Sequence, residues 1–580
     1  MSKTVIQYVL DKLKEQGVAD VFGVPGDFLY PVCDHIIDDP GLNWIGCANE
    51  LNASYAAEGY ARTKGVGVVA TTYGPGELST FAGLAGSQAE NCKVVALTGM
   101  PGLNEQEKGH RTHHMLLDQS PNYELFIDMV KPLTAGGNGA AMITAENVVE
   151  ETDRLLSAMN YHSKPINFCF PRDQWNKEAI IPEGWTDIAP ITSNPDALDA
   201  AVREILYRIS KAKKPCFIPG YLVKRHGNIQ EGLAMVEASG LPYFTTLQDK
   251  STFPENHPQF GGVYLGRWVG LADTDVSDYV ESSDCIVGIG PENHEFNNAF
   301  HTMEYDFKST INIMPHTTRV GMATYDEVEM KDVLIELTKR IEKRTDVSGL
   351  EVKTRFGSPS GSSEDNIDYT PLYERVQALL KPNDILVSDT ALSALCGCVR
   401  MNLPDGVEVE AGTSWGSIGW GTPAILGNAI AARDRRCIIV AGEGGHQLTA
   451  NEMGTFYRYG VKPVFLVVNN GGFHAERVTN RYPDEEYNDL AQWNFADIPA
   501  AMGCKDWFTA KVTTLGELDA ALKTAEEGDV GVYIEVVIDA KLMADGGDWL
   551  YAGTAPLAGF SPTRSWDGWV KDGREGMPKA

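Results

Sequence analysis

The chain has 580 residues, 43% hydrophobic and 22% charged, a globular composition that excludes a disordered, fibrous or collagen-like protein. Acidic residues outnumber basic ones by 79 to 49, a net charge of −30. Such a surface repels phosphate backbones and anionic lipid heads, so neither nucleic acid nor a membrane is an expected partner. At roughly 100–200 residues per domain, the length suggests about three domains.

The first segment, MSKTVIQYVLDKLKEQG, sets Val5, Val9 and Leu13 on one helical face among charges. It reads as an amphipathic first helix, not as a signal peptide. Short β-branched runs at 21–24, 68–72, 94–98 and 166–170 then alternate with Ala-rich helical stretches such as 51–64. That alternation marks a parallel α/β sheet. A Pro-punctuated connector (PRDQWNKEAIIPEGWTDIAPITSNP) leads to a second block, with strands expected at 216–218, 243–245, 285–287 and 311–313. Residues 346–368, containing GSPSGSSED, form the clearest linker. The third block has strand runs at 385–387, 437–440, 464–468 and 532–538. The expected fold is three parallel-sheet α/β domains, over 1–180, 195–345 and 369–560.

The uncharged stretch from Ser414 to Ala432 carries Gly, Ser, Thr, Asn and Pro, which suits a protein interior better than lipid. The ten cysteines are scattered, and the close pair Cys396 and Cys398 has neither zinc-ribbon spacing nor a partner pair. Buried free thiols in a reducing cytosol, hence a cytoplasmic protein, are the expectation.

The segment from Val440 to Glu476 is the most informative. One apolar strand runs into Gly442-Glu443-Gly444-Gly445, and a second ends in Asn469-Asn470-Gly471-Gly472. In a parallel sheet both turns emerge at the carboxyl edge, where open α/β sheets bind ligands. Glycines around one carboxylate let backbone amides approach a phosphate closely. Thr449, with Glu452 three residues on, reads as a capping box that starts the next helix near this loop. Glu443, the Asn470 side-chain oxygen and the Gly472 carbonyl make a hard, all-oxygen set suited to Mg²⁺ or Ca²⁺. Either piece alone is a common turn signal. Together they resemble the thiamine diphosphate motif, which begins Gly-Asp-Gly and closes on Asn-Asn. Here Glu443 stands where that motif has Asp, and Gly445 where it usually has Ser.

From about residue 3 to about residue 540 the chain resembles the pyruvate and indolepyruvate decarboxylases, a family of thiamine diphosphate-dependent 2-oxo acid decarboxylases. The resemblance implies a pyrimidine-binding, a middle and a diphosphate-binding domain. It also implies thiamine diphosphate and Mg²⁺ as cofactors, and a homodimer or homotetramer with active sites shared between subunits. Glu50, in CANELNASYAAEGYAR, matches the activating glutamate at the pyrimidine; by itself it would read as a helix-start residue complementing the macrodipole. Ile418, in TSWGSIGWGTPA, matches the wedge that bends the cofactor, Gly416 the carbonyl that binds its amino group, and Thr390 the cofactor-contacting loop. With Gly442, Glu443, Gly444, Gly445 and Asn470 these are the implied cofactor contacts; Glu443, Asn470 and Gly472 are the implied metal ligands. Asp27 in VPGDFLYP, His113 and His114 in HRTHHML, and Glu476 in NNGGFHAER match the proton-transfer group. Glu476 is placed at the substrate carboxylate, Asp27 with His114 at aldehyde release, and His113 beside the cofactor.

The function implied is non-oxidative decarboxylation of a small 2-oxo acid, of the pyruvate, phenylpyruvate or indolepyruvate class, to an aldehyde and CO₂. Two alternatives stand beside it: a carboligase similar to acetolactate synthase, marked by a flavin in the middle domain, and a non-catalytic relative with weakened cofactor binding. Ala394, in SDTALSAL, matches a pocket-wall position that is a bulky aromatic in pyruvate-preferring members, so an aromatic or branched substrate is expected.

Overall fold

A computed structural model describes residues 3–547, apart from 117–119, 269–270, 306–309, 354–355, 393–395, 480–482 and 484. The N-terminal sheet contains β1 (Asp20–Gly23), β2 (Asn43–Gly46), β3 (Gly67–Thr71), β4 (Val94–Met100), β5 (Ala140–Met142) and β6 (Ile166–Pro171). All its pairings are parallel, in the order β2-β1-β3-β4-β6-β5. The middle sheet contains β7 (Pro215–Pro219), β8 (Tyr243–Thr245), β9 (Phe260–Val263), β10 (Cys285–Ile289), β11 (Ile311–Ile313), β12 (Thr317–Val320) and β13 (Ala323–Asp326). Its order is β13-β12-β11-β10-β7-β8-β9, and β12 and β13 run antiparallel, so this sheet is mixed at one edge. The C-terminal sheet contains β14 (Ile385–Ser388), β15 (Glu408–Ala411), β16 (Cys437–Gly442), β17 (Val464–Asn469), β18 (Phe508–Val512) and β19 (Val532–Val537). It is again all parallel, in the order β15-β14-β16-β17-β19-β18.

Every strand run read from the sequence is present. Helix Val5–Glu15 buries Val5, Val9 and Leu13 on its inner face, as its spacing requires. All ten cysteines are free thiols, and only Cys47 and Cys285 are not fully buried. Among the described residues no helix is long and apolar enough to cross a membrane.

The N- and C-terminal sheets share one apolar core through helices Glu50–Lys64 and Gly421–Ala431. Each helix places small residues at the crossing. A Cβ on Gly59 would fall 2.0 Å from the Ala424 oxygen, and one on Gly427 would fall 1.9 Å from the Ala56 oxygen. Only glycine permits so close an approach. Asn428 closes it by donating to the Gly59 carbonyl at 2.9 Å. Beside the crossing, Arg62 is buried within an ionic cluster that spans both domains. It bonds Glu58 at 2.7 Å and Glu410 at 3.2 Å, and lies 3.3 Å from Glu90. Burial alone would disfavour each of these charges, and their mutual pairing is what makes them tolerable. The consequence for the site is a rigid link from the N-terminal domain to the loop before Gly421. Glu90 accepts the Ser414 and Trp415 amides at 2.7 and 3.0 Å, and the Tyr55 hydroxyl meets Ser417 at 2.8 Å.

Candidate active site

The loops leaving the carboxyl ends of β1 to β4 gather one group of candidates. Glu50 is the first residue of helix Glu50–Lys64, behind the N-cap Asn49, whose side chain accepts the Asn52 amide at 2.8 Å. Its carboxylate lies over the start of the next helix: a Cβ on Gly76 would meet Glu50 Oε1 and Thr72 Cγ2, each at 3.1 Å. Gly26 packs onto the same Thr72, which brings Asp27 to this edge. Asp27 Oδ1 lies 3.2 Å from His113 Nε2. The His113 and His114 rings are 4.4 Å apart, and both pack on Phe28, at 5.0 and 5.9 Å. His114 has φ +70°, an uncommon backbone state for a non-glycine residue, and its backbone presses on Gly74 so closely that a Cβ there would lie 2.9 Å from its carbonyl oxygen. Gly74 is held by Glu77, which accepts its amide at 3.4 Å; burial pushes the Glu77 carboxyl up to about 8. The structure therefore assembles Asp27, His113 and His114 into one cluster, with one polar atom of each within 4.8 Å of the others.

The second group lines a cleft at the carboxyl edge of the C-terminal sheet, formed by Thr390, Ile418, Gly442–Gly445, Asn470, Gly472 and Glu476, with Leu392 and Phe473 among its walls. β16 and β17 are adjacent, so their Gly-rich ends face each other across the cleft. Glu443 is buried and its Oε1 accepts the Asn470 and Gly472 amides at 3.1 and 2.8 Å. Desolvation raises its carboxyl to about 7, against the lowering effect of those amides. Gly416 turns the preceding loop with φ +69°. Glu476 is exposed on helix His474–Thr479 at the rim. Beneath the turn, Arg477 donates to the Asn470 and Gly471 carbonyls at 3.2 and 3.1 Å and fixes its backbone. Ala394 lies outside the described residues.

One expectation is corrected. Thr449 and Glu452 do not cap a helix; the helix begins at Glu443, directly after β16, and Thr449 is its last residue. Thr449 donates instead to the Gly419 carbonyl at 2.7 Å, and Glu452 accepts from the Asn52 amide group at 2.8 Å and from the Ala48 N–H. The glycines at 442, 444 and 445 let the chain enter the helix without a spacer, so the helix start lies at the loop itself.

Sequence reasoning missed Asp389, a buried carboxylate at the end of β14. It accepts the amides of Thr390, Gly419 and Gly421 at 2.9, 3.1 and 3.2 Å, tying two cofactor-loop segments together. Burial pushes its carboxyl up to about 6. A Cβ on Gly445 would fall 2.5 Å from Asp389 Oδ2. That contact accounts for the glycine where a serine is usual: the space is already filled by a carboxylate from the neighbouring strand. Only the pairing of β14 with β16 brings the two together, so no local pattern could have shown it.

The donor set also fits the expected cofactor and metal. Asn470 donates its side-chain N–H to the Tyr369 hydroxyl at 3.0 Å, while its Oδ1 is buried with no hydrogen-bond partner. Such an orphaned acceptor beside a carboxylate is what a hard cation would satisfy. A Cβ on Gly444 would meet the Phe473 ring at 2.6 Å, so the cradle stays open only with glycine. Among the described residues, none of the N-terminal domain lines this cleft.

Comparison with known proteins agrees with both halves. The thiamine pyrophosphate enzyme family models match in order: the N-terminal TPP binding domain over residues 3–121, the central domain over 202–333, and the C-terminal TPP binding domain over 396–536. The chain is 34% identical to an alpha-keto-acid decarboxylase of Mycobacterium leprae over 544 residues, covering 92% of this chain and 93% of the relative. It is 32% identical over 526 residues to a pyruvate decarboxylase of Kluyveromyces lactis, covering 89% and 91%. The fold matches the X-ray structure of a Mycobacterium smegmatis protein assigned as thiamin diphosphate-dependent, with a TM-score of 0.71 at 22% identity over 92% of this chain and 99% of that one. The chain belongs to the thiamine diphosphate-dependent 2-oxo acid decarboxylases, and it is an enzyme of that class.

Proposed function

We propose that the chain converts a 2-oxo acid of the pyruvate, phenylpyruvate or indolepyruvate class to CO₂ and an aldehyde, using Mg²⁺ with its thiamine diphosphate. We place each active site between two subunits of a cytoplasmic homodimer or homotetramer. The observation that carries this reading is the Asp27–His113–His114 cluster at the same sheet edge as Glu50, which gathers the acid and base groups that expulsion of an aldehyde needs. The separate lining of the C-terminal cleft supports shared sites, because Glu50, Asp27, His113 and His114 must reach the cofactor from another edge. In the middle domain, Tyr221, Asp249, Glu292 and Asn297 hydrogen-bond across the carboxyl ends of β7, β8 and β10.

Bound between the half-sites, thiamine diphosphate supplies the electron sink that lets the 2-oxo acid lose CO₂. The amides around Gly442–Gly445 would hold the diphosphate, and Glu443, Asn470 Oδ1 and the Gly472 carbonyl would hold the Mg²⁺. Ile418, Gly416 and Thr390 would contact the bound cofactor. Glu50 would hold a proton at the cofactor's pyrimidine ring. Glu476, at the rim, faces the substrate carboxylate and returns a proton to the carbon that loses CO₂. Asp27 and His114 then manage the hydroxyl proton as the aldehyde leaves, with His113 Nε2 orienting Asp27. The apolar walls Leu392, Ile418 and Phe473 exclude water from the step in which charge is lost.

The test is product stoichiometry on a panel of 2-oxo acids with cofactor and Mg²⁺ supplied. Equal CO₂ and aldehyde are expected, with kcat/KM for phenylpyruvate above that for pyruvate and the order reversed in Ala394→Trp. Each well-placed methylene is worth about 1 kcal/mol in such a pocket. Half as much CO₂ as substrate with no aldehyde would identify a ligase, and no turnover a non-catalytic relative.

A further inference from the structure

Arg172 follows β6, a strand end to which no expected site residue was assigned, and reaches across the carboxyl edge of the N-terminal sheet. Its Nη1 lies 3.7 Å from Asp27 Oδ2, while His113 Nε2 lies 3.2 Å from Oδ1 of the same carboxylate. The two oxygens of Asp27 thus face different partners. Arg172 is itself fixed: Nε donates to Glu105 Oε2 at 2.9 Å, Nη2 donates to the other Glu105 oxygen, and the guanidinium lies 4.9 Å from the Phe28 ring centre. Phe28 is the ring on which His113 and His114 both pack. The neighbouring Asp173 accepts the Leu103 and Asn104 amides at 2.9 and 3.0 Å and so anchors helix Leu103–Glu107, which carries Glu105 and leads into the His113–His114 loop. A planar fork bound on one edge by a carboxylate and stacked on an aromatic ring is an arrangement that Lys cannot reproduce.

We infer that Arg172 is a positioning residue for proton transfer, fixing the orientation of the Asp27 carboxylate and placing a positive charge beside it for the aldehyde-releasing step. This rests on the decarboxylase reading above. The charged or titratable groups facing Asp27 are Arg172, His113 and His114; those facing Arg172 are Asp27, Glu105 and Asp173. Removing Arg172 takes away the cation that lies 3.7 Å from Asp27 Oδ2, and with it the fixed partner of that oxygen. Because Asp27 is partly exposed, solvent limits the effect.

The experiment compares wild type, Arg172→Gln and Arg172→Lys, measuring first-turnover CO₂ release, steady-state aldehyde release, and the pH profile of kcat. For Arg172→Gln, CO₂ release in the first turnover is expected to stay within about threefold of wild type, aldehyde release to fall about tenfold, and the acid limb to move to higher pH. Arg172→Lys should restore the acid limb but only part of kcat. The thermal midpoint of each variant reports any loss of fold. If Arg172→Gln keeps both kcat and the pH profile, or slows CO₂ and aldehyde equally, the inference is wrong. A wild type that forms no aldehyde would instead overturn the decarboxylase reading.

Discussion

Glu50→Gln is expected to lower decarboxylation by about 10²–10⁴-fold while thiamine diphosphate still binds. Glu50 starts a helix and its side chain lies against Gly76, and an amide of the same shape fits that space. What it cannot do is exchange a proton with the pyrimidine nitrogen. The helix keeps its N-cap through Asn49, so the fold should be indifferent to the change. Steady-state CO₂ release and a cofactor titration by calorimetry separate the two effects. Near-normal turnover would remove Glu50 from the chemistry.

Glu443→Ala is expected to abolish metal-dependent cofactor binding, and Glu443→Asp to retain or improve it. Alanine removes the buried acceptor of the Asn470 and Gly472 amides and leaves Asn470 Oδ1 as the one side-chain oxygen of the set. Aspartate keeps the charge with a shorter arm, which suits the strict geometry of Mg²⁺. The Glu443 carboxyl is raised to about 7 from an ordinary value of 4.5, by burial. The folded apoprotein therefore binds this proton more tightly than the unfolded chain does. Ionising Glu443 costs apoprotein stability as pH rises from about 4.5 towards 7. A cation must displace the proton, so metal affinity should rise with pH up to about 7 and level off above it. Thermal shifts with thiamine diphosphate and Mg²⁺ from pH 5.5 to 8.5 measure this. An affinity flat over that range, or unchanged in Glu443→Ala, would move the metal elsewhere.

The central strands of each sheet were legible because they are buried on both faces and read as unbroken apolar runs, such as 437–440 and 464–468. The strands that escaped, β2, β5, β9, β13, β15 and β18, all lie at sheet edges, and β12 lies one place in. An edge strand such as β2 is half exposed and spells Asn-Trp-Ile-Gly, which has no strand pattern to find. The two Gly-rich turns were legible for a similar reason: each follows a strong strand directly. The false capping box had the right residue types, but Thr449 was claimed by the Gly419 carbonyl and Glu452 by the N-terminal domain, 400 residues away for Asn52. Asp389 and Arg172 were invisible because their roles depend on neighbours brought in by sheet order, with Arg172 and Glu105 separated by 67 residues. Asp27, His113 and His114 could be nominated one by one from the family's motifs, but their mutual contact came only from the fold.

The most direct test of a site divided between subunits uses the two variants above together. Glu50→Gln damages only the N-terminal half-site and Glu443→Ala only the C-terminal one. If each active site joins the N-terminal edge of one subunit to the C-terminal cleft of its partner, a mixed dimer holds one site with both glutamates intact and one with neither. Co-expression under separate tags, with purification of the doubly tagged species, should yield about half of the wild-type activity per dimer from two inactive parents. Activity no greater than that of the parents, in a mixed dimer shown to contain both chains, would contradict the shared site.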